Sequence, residues 1–396
     1  IIFHIDVNSA YLSWTAVEQL KNGADVDIRT IPAIIGGDRE SRHGIVLAKS
    51  PSAKKFGIRT GEPVVNAFRK CPNLHMDPPN HRMYREYSRR LMDFLKTYTP
   101  EIEQVSVDEC YMDFTGIAQR FSSPVEAAYE IKARVYEKFG FTVNVGISTN
   151  KLLAKMASDF EKPNRVHTLF PEEVKEKMWP LPVSELFMAG KSSVAILEKL
   201  EIRTIGELAQ TDPKLLEFHL KSHGRTLWEF ANGIGDAKVQ SEETAAKGVG
   251  NSTTLPKDVE KAEDAKKVLF SLAESVGKRL RKAGQKANMV SVEIRYSDFQ
   301  NVSHQKQLGR ASGADQVIYE AACSLFDELW NGEPIRLLGV RTAKLVDEDE
   351  PEQLSLFDLQ FEVKSEKPKK SMEKLKKLSA AMGEIRGKYG ADAVIR

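Results

Sequence analysis

The sequence predicts a multidomain protein of the α+β class. Its 396 residues are too many for one ordinary hydrophobic core, and a composition of 41% hydrophobic and 29% charged residues is typical of a folded chain. From residue 1 to 165, periodic segments follow the order strand, helix, loop-rich insert, helix, hairpin, helix, strand, helix. That order favours an antiparallel sheet covered by helices on one face. A polar stretch then precedes a new series of strands and helices, which indicates a separate domain.

Composition and charge limit where the protein acts. No apolar run approaches the roughly 20 residues of a membrane span, and the first residues have a strand pattern rather than that of a secretory leader. Cys71, Cys110 and Cys323 are widely scattered, so they give neither a disulfide framework nor a zinc-binding spacing. We therefore expect a cytoplasmic protein without a membrane partner. The net charge of +2 is too small to indicate any other partner.

Two adjacent acids stand between two strand-like arms in the segment 104–114. Apolar and polar residues alternate on both sides of Asp108 and Glu109, which predicts a β-hairpin with the acids at its bend. Neighbouring side chains of a strand point to opposite faces, so both carboxylates reach one ion only if the chain turns there. Such a pair requires a cation or a proton. On the pair alone, a solvated turn is the other interpretation.

A third acid follows the first predicted strand. Residues 1–5 have the pattern of a buried strand that ends at Asp6, and Asn8 or Ser9 is placed to cap a helix over 10–20. A carboxylate at a strand end beside a helix N-terminus suits a metal ion with an anion close by. Taken alone, Asp6 is also consistent with a turn or capping residue.

Two groups of lysines are candidates for phosphate binding. Lys54 lies on a short predicted helix that Gly57 ends. Lys151, Lys155 and Lys162 are spaced so that they share one face of a continuous helix, which follows a predicted strand. Both groups are also typical of a solvated helix face.

Helical patterns dominate residues 166–235. The pattern over 182–197 predicts a short helix, a turn at Gly190 and Lys191, and a second helix, similar to a helix-hairpin-helix module whose turn amides bind DNA phosphates. A capping box begins another helix at Thr204, and a second glycine turn is predicted at 222–225. An ordinary small helical domain fits the segment equally well.

The rest of the chain divides into a second domain and a tail. Residues 247–346 show the order β-α-β-β-α-β. An acidic stretch follows, and then an apolar island in a charged tail that is either a docking peptide or a strand packed on the body. The island contains Gln353, Leu354, Ser355, Leu356 and Phe357.

Together these segments resemble the Y-family, or translesion, DNA polymerases of the bacterial polymerase IV and polymerase V type. The resemblance covers about residues 1–346, with its motifs in the same order along the chain. Those motifs are Ile5–Tyr11, Ser106–Asp113, Val145–Ser158, Lys162–Asn164 and Gly190–Lys191.

The resemblance implies the right-hand architecture of these polymerases. Its parts would be a ferredoxin-like palm (1–10 and 76–165), small fingers (11–75), a helical thumb with the helix-hairpin-helix (166–235), a linker (236–246), a little finger (247–346) and a tail (347–396). It implies low-fidelity, template-directed addition of deoxynucleotides to a primer 3′-OH, without proofreading, in DNA damage tolerance. Primer-template DNA and a deoxynucleoside triphosphate would be bound by a monomer.

The resemblance also implies roles for single residues. Asp6, Asp108 and Glu109 match carboxylates that bind two Mg²⁺ ions, with the Val7 carbonyl as a further ligand. Hard ions prefer such oxygen ligands. The remaining assignments are Tyr11 as the ring that excludes a 2′-OH, Lys54 and Lys162 on the triphosphate, Lys151, Lys155, Gly190 and Lys191 on DNA, and Gln353, Leu354, Leu356 and Phe357 on a bacterial sliding clamp.

One position departs from the family pattern, and two other functions compete with it. Family members often carry Tyr and, three residues later, Arg to hold phosphates, where this chain has Pro51 and Lys54. Lys54 supplies a point charge but no bidentate fork. The competing functions are a nucleotide cyclase on a related palm and a non-catalytic DNA-binding protein of the same fold.

Overall fold

A computed structural model describes residues 1–38, 44–242 and 245–350 of the chain. The chain divides into two units between residues 243 and 244. The predicted α+β class is confirmed. The strands of the first unit are β1 (Ile2–Val7), β2 (Ala33–Gly36), β3 (Val46–Lys49), β4 (His75–Asp77), β5 (Ile102–Gln104), β6 (Glu109–Asp113), β7 (Val143–Ser148) and β8 (Val166–Thr168). Its helices are α1 (Ala10–Lys21), α2 (Pro51–Lys55), α3 (Val64–Lys70), α4 (His81–Leu95), α5 (Pro124–Phe139), α6 (Lys151–Asp159), α7 (Lys191–Lys199), α8 (Ile205–Gln210), α9 (Pro213–Leu220) and α10 (Ser222–Ala231).

A five-stranded sheet in the order β5-β6-β1-β7-β8 forms the centre of the first unit. Its central strand β1 shows why the two faces differ. Because strand side chains alternate, Phe3, Ile5 and Val7 enter the large apolar core shared with α4 and α5. His4 and Asp6 face the other way, where α6 crosses the sheet and Ser158 contacts His4. Helices therefore cover both faces, α4 and α5 on one and α6 on the other, so the predicted cover on one face is wrong. The sheet is antiparallel as predicted apart from β8, which pairs parallel with β7.

A smaller sheet in the order β3-β2-β4 packs with α2 and α3. The predicted short helix after β3 is confirmed as α2, capped by Ser50, whose hydroxyl accepts from the Ala53 amide at 3.0 Å, and followed by Gly57 in the left-handed region at φ +72°. Helix α3 lies in a stretch that the sequence predicted to be loop and short strands. Only Val64 and Ala67 of α3 are buried, so its periodic signal is short.

The helical part of the first unit differs from prediction in two turns. The first predicted helix is a single 3₁₀ turn, Val183–Glu185. The second predicted glycine turn is wrong, because Gly224 lies in the first turn of α10 and the chain reverses at Lys221 instead. Gly224 is required by packing, since a Cβ there would lie 2.3 Å from the Leu216 carbonyl oxygen of α9. The capping box at Thr204 is confirmed.

The second unit has the predicted order β-α-β-β-α-β. Its elements are β9 (Gly248–Val259), α11 (Ala262–Lys282), β10 (Gln285–Tyr296), β11 (Asn301–Ser312), α12 (Asp315–Leu329) and β12 (Ile335–Asp347). The strands form one antiparallel sheet in the order β11-β10-β12-β9. Both helices and the inward side chains of the sheet share a core of their own, which includes Leu269, Val292 and Phe326.

Residues just before the second unit are fixed on the first. Within the predicted linker, the carbonyl of Asp236 accepts from the Lys151 amide at 2.9 Å. The Gln240 amide donates to the Glu103 carboxylate at 2.8 Å. Val239 is 8% exposed and packs against Tyr111. In the part of the chain that the structure describes, no helix is long and apolar enough to cross a membrane. The predicted docking peptide at 353–357 lies outside the described residues.

Candidate active site

Asp6 and Glu109 face each other where β1 ends and β6 begins, and Asp108 directly precedes Glu109. The antiparallel register of these strands sets Asp6 directly opposite Glu109. The next hydrogen bond joins the Val7 amide to the Asp108 carbonyl at 3.0 Å. Paired residues in a ladder lie on the same face, so the register brings the Asp6 and Glu109 carboxylates to the polar face of the sheet. The two acids singled out in the hairpin and the acid after the first strand thus form one corner.

Ser106 organises the bend that carries Asp108. Its hydroxyl accepts from the Asp108 and Glu109 amides at 3.3 and 3.1 Å and donates to Asp108 Oδ1 at 2.6 Å. The predicted hairpin is therefore confirmed. Its arms are shorter than expected, because β5 ends at Gln104 and Val105 lies in the bend with 52% of its surface exposed.

Glu109 is held by two neighbours on the polar face. His4 Nε2 lies 3.2 Å and Lys155 Nζ 3.1 Å from Glu109 Oε2. The hydrogen bond from His4, opposed by burial and reinforced by the Lys155 charge, lowers the pKa of Glu109 to about 2. Burial lowers the pKa of His4 itself, and its Nδ1 lies 2.7 Å from the Ser158 hydroxyl, which in turn donates to the Lys155 carbonyl at 2.8 Å.

Asp6 is more deeply buried, with 6% of its surface exposed, and is paired with Lys162. Burial raises the pKa of Asp6, although the Lys162 charge works against that rise. Burial would lower the pKa of Lys162, but ion pairs with Asp6 and Asp159 outweigh it and leave that pKa raised. The cost of burying the Asp6 carboxylate is thus only partly offset by its ion pair.

Asn8 secures the chain just after Lys162. The expected side-chain cap on α1 is absent at Ser9, and Asn8 is used elsewhere. Its Oδ1 accepts from the Asn164 amide at 2.8 Å and from Thr142 Oγ1 at 2.9 Å, while its Nδ2 donates to Asn144. These bonds hold the segment after α6 against the end of β1, which places Lys162 beside Asp6.

A pocket of about 460 Å³ opens next to this corner. Asp6 and Asp108 line it, together with residues of β3 and α2. Tyr11 lines it as well, and its ring stacks on Tyr84 with centroids 4.3 Å apart and planes 13° apart. Burial and the Asp108 charge raise the pKa of the Tyr11 hydroxyl. The complete lining is Asp6, Val7, Asn8, Ser9, Ala10, Tyr11, Leu47, Ala48, Lys49, Ser50, Pro51, Lys54, Thr60, Val107, Asp108, Lys162 and Pro163.

The predicted lysine stripe does not form as one helical face. Helix α6 ends at Asp159, so Lys162 lies beyond it. Lys151 pairs with Glu103 at 3.0 Å and Asp236 at 3.3 Å, and its side chain is 16% exposed. Lys155 and Lys162 pair with the acids of the corner instead. The lysines therefore neutralise carboxylates within the protein.

The donor set of the corner fits a hard divalent ion. Asp6, Asp108 and Glu109 supply only carboxylate oxygens, which Mg²⁺ prefers. Two of the three, Asp6 and Asp108, line the pocket. Among the residues described, no three His, Cys, Asp or Glu side chains are already gathered around one ion position. The ion pairs of Glu109 with Lys155 and of Asp6 with Lys162 show that the acids attract cations in this arrangement.

Three contributors to the site were not predicted from the sequence. His4 lies two residues before Asp6, so strand alternation alone could have placed it on the same face. Lys49 and Thr60 line the pocket from the small sheet. For those two residues the sequence offered no comparable signal, since their position depends on how that sheet packs.

Comparisons with known proteins agree with this fold and site. A model of the impB/mucB/samB family matches residues 5–159, and a model of that family's C-terminal domain matches residues 246–356. DNA polymerase IV of Clostridium acetobutylicum is 48% identical over 396 residues, which are 100% of this chain and 97% of that protein. DNA polymerase IV 1 of Bacillus subtilis is 38% identical over 379 residues, covering 95% of this chain and 90% of that protein.

Solved structures show the same fold. A chimera of the Y-family DNA polymerases Dbh and Dpo4 aligns with a TM-score of 0.75 at 23% identity, covering 87% of this chain and 99% of that one. DinB from Sulfolobus solfataricus aligns with a TM-score of 0.57 at 23% identity, covering 86% and 98%. The chain belongs to the impB/mucB/samB family, within the Y-family DNA polymerases. It is a DNA-directed DNA polymerase of the translesion type.

Proposed function

We propose that Asp6, Asp108 and Glu109 are the catalytic carboxylates with which this chain adds deoxynucleotides to a primer 3′-OH along a template. The observation that carries the proposal is the register of β1 and β6, which sets Asp6 opposite Glu109 and joins Val7 to Asp108. The pocket beside them has room for a nucleotide, and its lining includes Asp6 and Asp108 as well as lysines.

Two Mg²⁺ ions would be held by these carboxylates and the Val7 carbonyl. When bound, the ions lower the pKa of the primer hydroxyl and neutralise charge on the leaving pyrophosphate. The protein's own groups prepare this site. His4 and Lys155 keep the Glu109 carboxylate ionised and oriented, while Lys162 neutralises the buried Asp6 until the ligands arrive.

The other pocket residues select and hold the nucleotide. The Tyr11 ring, supported by Tyr84, closes the space that a 2′-OH would occupy. Lys162 and Lys54 line the pocket and bind the triphosphate. Charged groups recognise phosphate through strong, short hydrogen bonds, so two ammonium groups suit this substrate.

Contacts with DNA are proposed for the thumb. Gly190 caps α7 and is exposed, as is Lys191. The Gly190 amide donates to the Met188 carbonyl at 2.9 Å, so Gly190 would approach a DNA phosphate closely without a side chain, while Lys191 supplies the amide and the charge. Lys151 and Lys155 were candidates for the same role, but Lys151 is paired with Glu103 and Asp236, and Lys155 is paired with Glu109. We propose that the protein acts as a cytoplasmic monomer.

The tail would attach the polymerase to a bacterial sliding clamp through Gln353, Leu354, Leu356 and Phe357. Tethering raises the local concentration of the enzyme at the primer end. Replacing Leu356 and Phe357 with Ala should abolish stimulation by the clamp while leaving basal primer extension intact. Stimulation that survives this change would assign the segment to another role.

Template-directed extension is the experiment that tests the proposed function. The purified chain should extend a labelled primer by one nucleotide only when the dNTP complementary to the template is supplied with Mg²⁺. The same preparation, given ATP or GTP without DNA, should form no cyclic nucleotide. Cyclic product without extension would favour the cyclase, and DNA binding without either product would favour a non-catalytic protein.

A further inference from the structure

Lys49 lines the same pocket as Asp6 and Asp108. In β3, Val46 and Ala48 are buried in apolar clusters, whereas Leu47 and Lys49 are half-buried, and Leu47, Ala48 and Lys49 all line the pocket. Because strand side chains alternate, Leu47 and Lys49 lie on the more open face of the small sheet. Lys54 reaches the same pocket from α2, which follows β3 directly.

The two ammonium groups have no carboxylate partner in the described part of the chain. Lys49 Nζ donates to Thr60 Oγ1 at 3.3 Å, and Thr60 also lines the pocket. Glu62, the nearest acid that influences Lys49, is bound to Lys70 at 2.6 Å. Burial and the neighbouring Lys54 charge lower the pKa of Lys49. Two uncompensated like charges in one pocket repel each other, and an anion bound between them would relieve that repulsion.

The acids in the same lining constrain which anion fits. Asp6 and Asp108 repel an anion unless cations screen them, whereas Lys49 and Lys54 attract it. A ligand that suits this lining has a negatively charged end beside Lys49 and Lys54 and oxygens that share metal ions with the carboxylates. A nucleoside triphosphate has both features, and the pocket volume of about 460 Å³ accommodates one.

We propose that Lys49, together with Lys54, binds the triphosphate of the incoming nucleotide. The inference rests on the proposed function and adds to it a binding residue on β3. Neither lysine offers a planar fork, so two point charges would hold the phosphates at a position where one arginine could bind bidentately. Such binding depends strongly on ionic strength, because the pocket is open to solvent and its charges are screened.

Single-nucleotide incorporation kinetics test the role of Lys49. Lys49→Ala should raise the KM for dNTP by about tenfold, the usual effect of losing a charged hydrogen bond, and leave kcat close to that of the unchanged protein. Lys49→Arg should keep most of the affinity because it keeps the charge. The matched control is Lys55→Ala, since Lys55 is an exposed neighbour on α2 that does not line the pocket.

A second measurement separates phosphate binding from a structural role of the bond to Thr60. Inorganic tripolyphosphate should compete with dNTP, and its inhibition constant should rise in Lys49→Ala by the same factor as the KM. Lys49→Gln keeps a donor for Thr60 and removes the charge, so it should behave like Lys49→Ala and should retain the unfolding midpoint of the unchanged protein.

Two results would overturn the inference. One is a KM for Lys49→Ala equal to that of Lys55→Ala in an enzyme that extends primers. The other is a normal KM for Lys49→Gln. Both outcomes leave the proposed function standing, whereas failure of the unchanged chain to extend a primer would remove the proposed function itself.

Discussion

Glu109 and Asp6 lie in the same corner of the site, but their surroundings shift their pKa values in opposite directions. His4 and Lys155 lower the pKa of Glu109, whereas burial raises that of Asp6. The Glu109 charge therefore stabilises the folded state and the Asp6 charge weakens it. Keeping a buried charge that costs stability is typical of a site shaped for binding rather than for folding.

The lowered pKa of Glu109 predicts how the free energy of unfolding depends on pH. A carboxylate whose pKa is lower in the folded state than in the unfolded state stabilises the fold at pH values above its ordinary pKa. That stabilisation is lost as the pH falls toward the folded-state pKa. Lowering the Glu109 pKa from 4.5 to about 2 corresponds to about 3 kcal/mol, an order-of-magnitude figure. Glu109→Gln should therefore unfold at lower urea than the unchanged protein at pH 6, and the gap should shrink as the pH is lowered toward 3. A gap that does not change with pH would show that Glu109 is not held as an ion by His4.

Tyr11 is expected to select the sugar of the nucleotide. Replacing it with Ala removes the ring that Tyr84 supports, so the preference for dNTP over rNTP should fall by at least about tenfold in single-nucleotide incorporation. Tyr129→Ala, at a tyrosine with 52% of its surface exposed, is the matched control and should keep the preference. An unchanged preference in Tyr11→Ala would assign sugar selection to another residue.

Single residues of the site could be predicted from the sequence where the alternation of apolar and polar residues marked them. Strand alternation was sufficient to mark Asp108 and Glu109 as a bend and Asp6 as a strand end. It could not show that Glu109 is bound by His4, because that contact requires the register of β1 against β6. Lys49 was missed for a similar reason, since only the packing of the small sheet places it on the same pocket as Asp6 and Asp108.

At the level of elements, the close packing of α6 against the sheet determines where the polar side chains of the site lie. Gly146 of β7 pairs with His4 of β1. A Cβ on Gly146 would lie 2.0 Å from the Ala154 carbonyl oxygen and 2.4 Å from the Ser158 amide. Only glycine lets α6 come close enough for Ser158 to hydrogen bond with His4. Gly146 therefore connects backbone packing to the position of Lys155.

This close approach gives a prediction for Gly146→Ala. Both atoms that the added methyl group would meet belong to the backbone, so α6 must move, and we expect a loss of about 1–3 kcal/mol in the free energy of unfolding. Primer extension should also fall, since Lys155 moves with the helix. Gly116→Ala, at an exposed glycine with nothing within 4 Å of the added Cβ, should change neither property. Wild-type stability in Gly146→Ala would contradict the packing argument.

Elements with complete local signals are the most predictable from the sequence. Helix α5 (Pro124–Phe139) has a serine cap, a proline in its first turn and, directly after its last residue, Gly140 in the left-handed region at φ +78°. Helix α3 has only two buried residues, and the reversal at Lys221 uses a left-handed lysine at φ +55°. Neither has the glycine or the long periodicity on which sequence arguments depend.

At the level of the whole molecule, each unit has its own core and its own sheet. The order of elements in both was predictable because each strand or helix carries its own periodicity. The fixed position of Val239 and Gln240 on the first unit was not predictable, since a polar stretch gives no sign of the carboxylate that will accept its amide. Membership in a polymerase family then follows from the whole chain rather than from any one motif.

The activity of Asp108→Asn tests the central claim most directly. The Asn side chain keeps the oxygen that accepts from Ser106, so the hairpin should fold unchanged while the charge is removed. Primer extension with Mg²⁺ should fall by at least about a hundredfold, with binding to primer-template DNA retained. Asp113→Asn, at the far end of the same strand, should extend primers normally. Extension by Asp108→Asn at the rate of the unchanged protein would contradict the account.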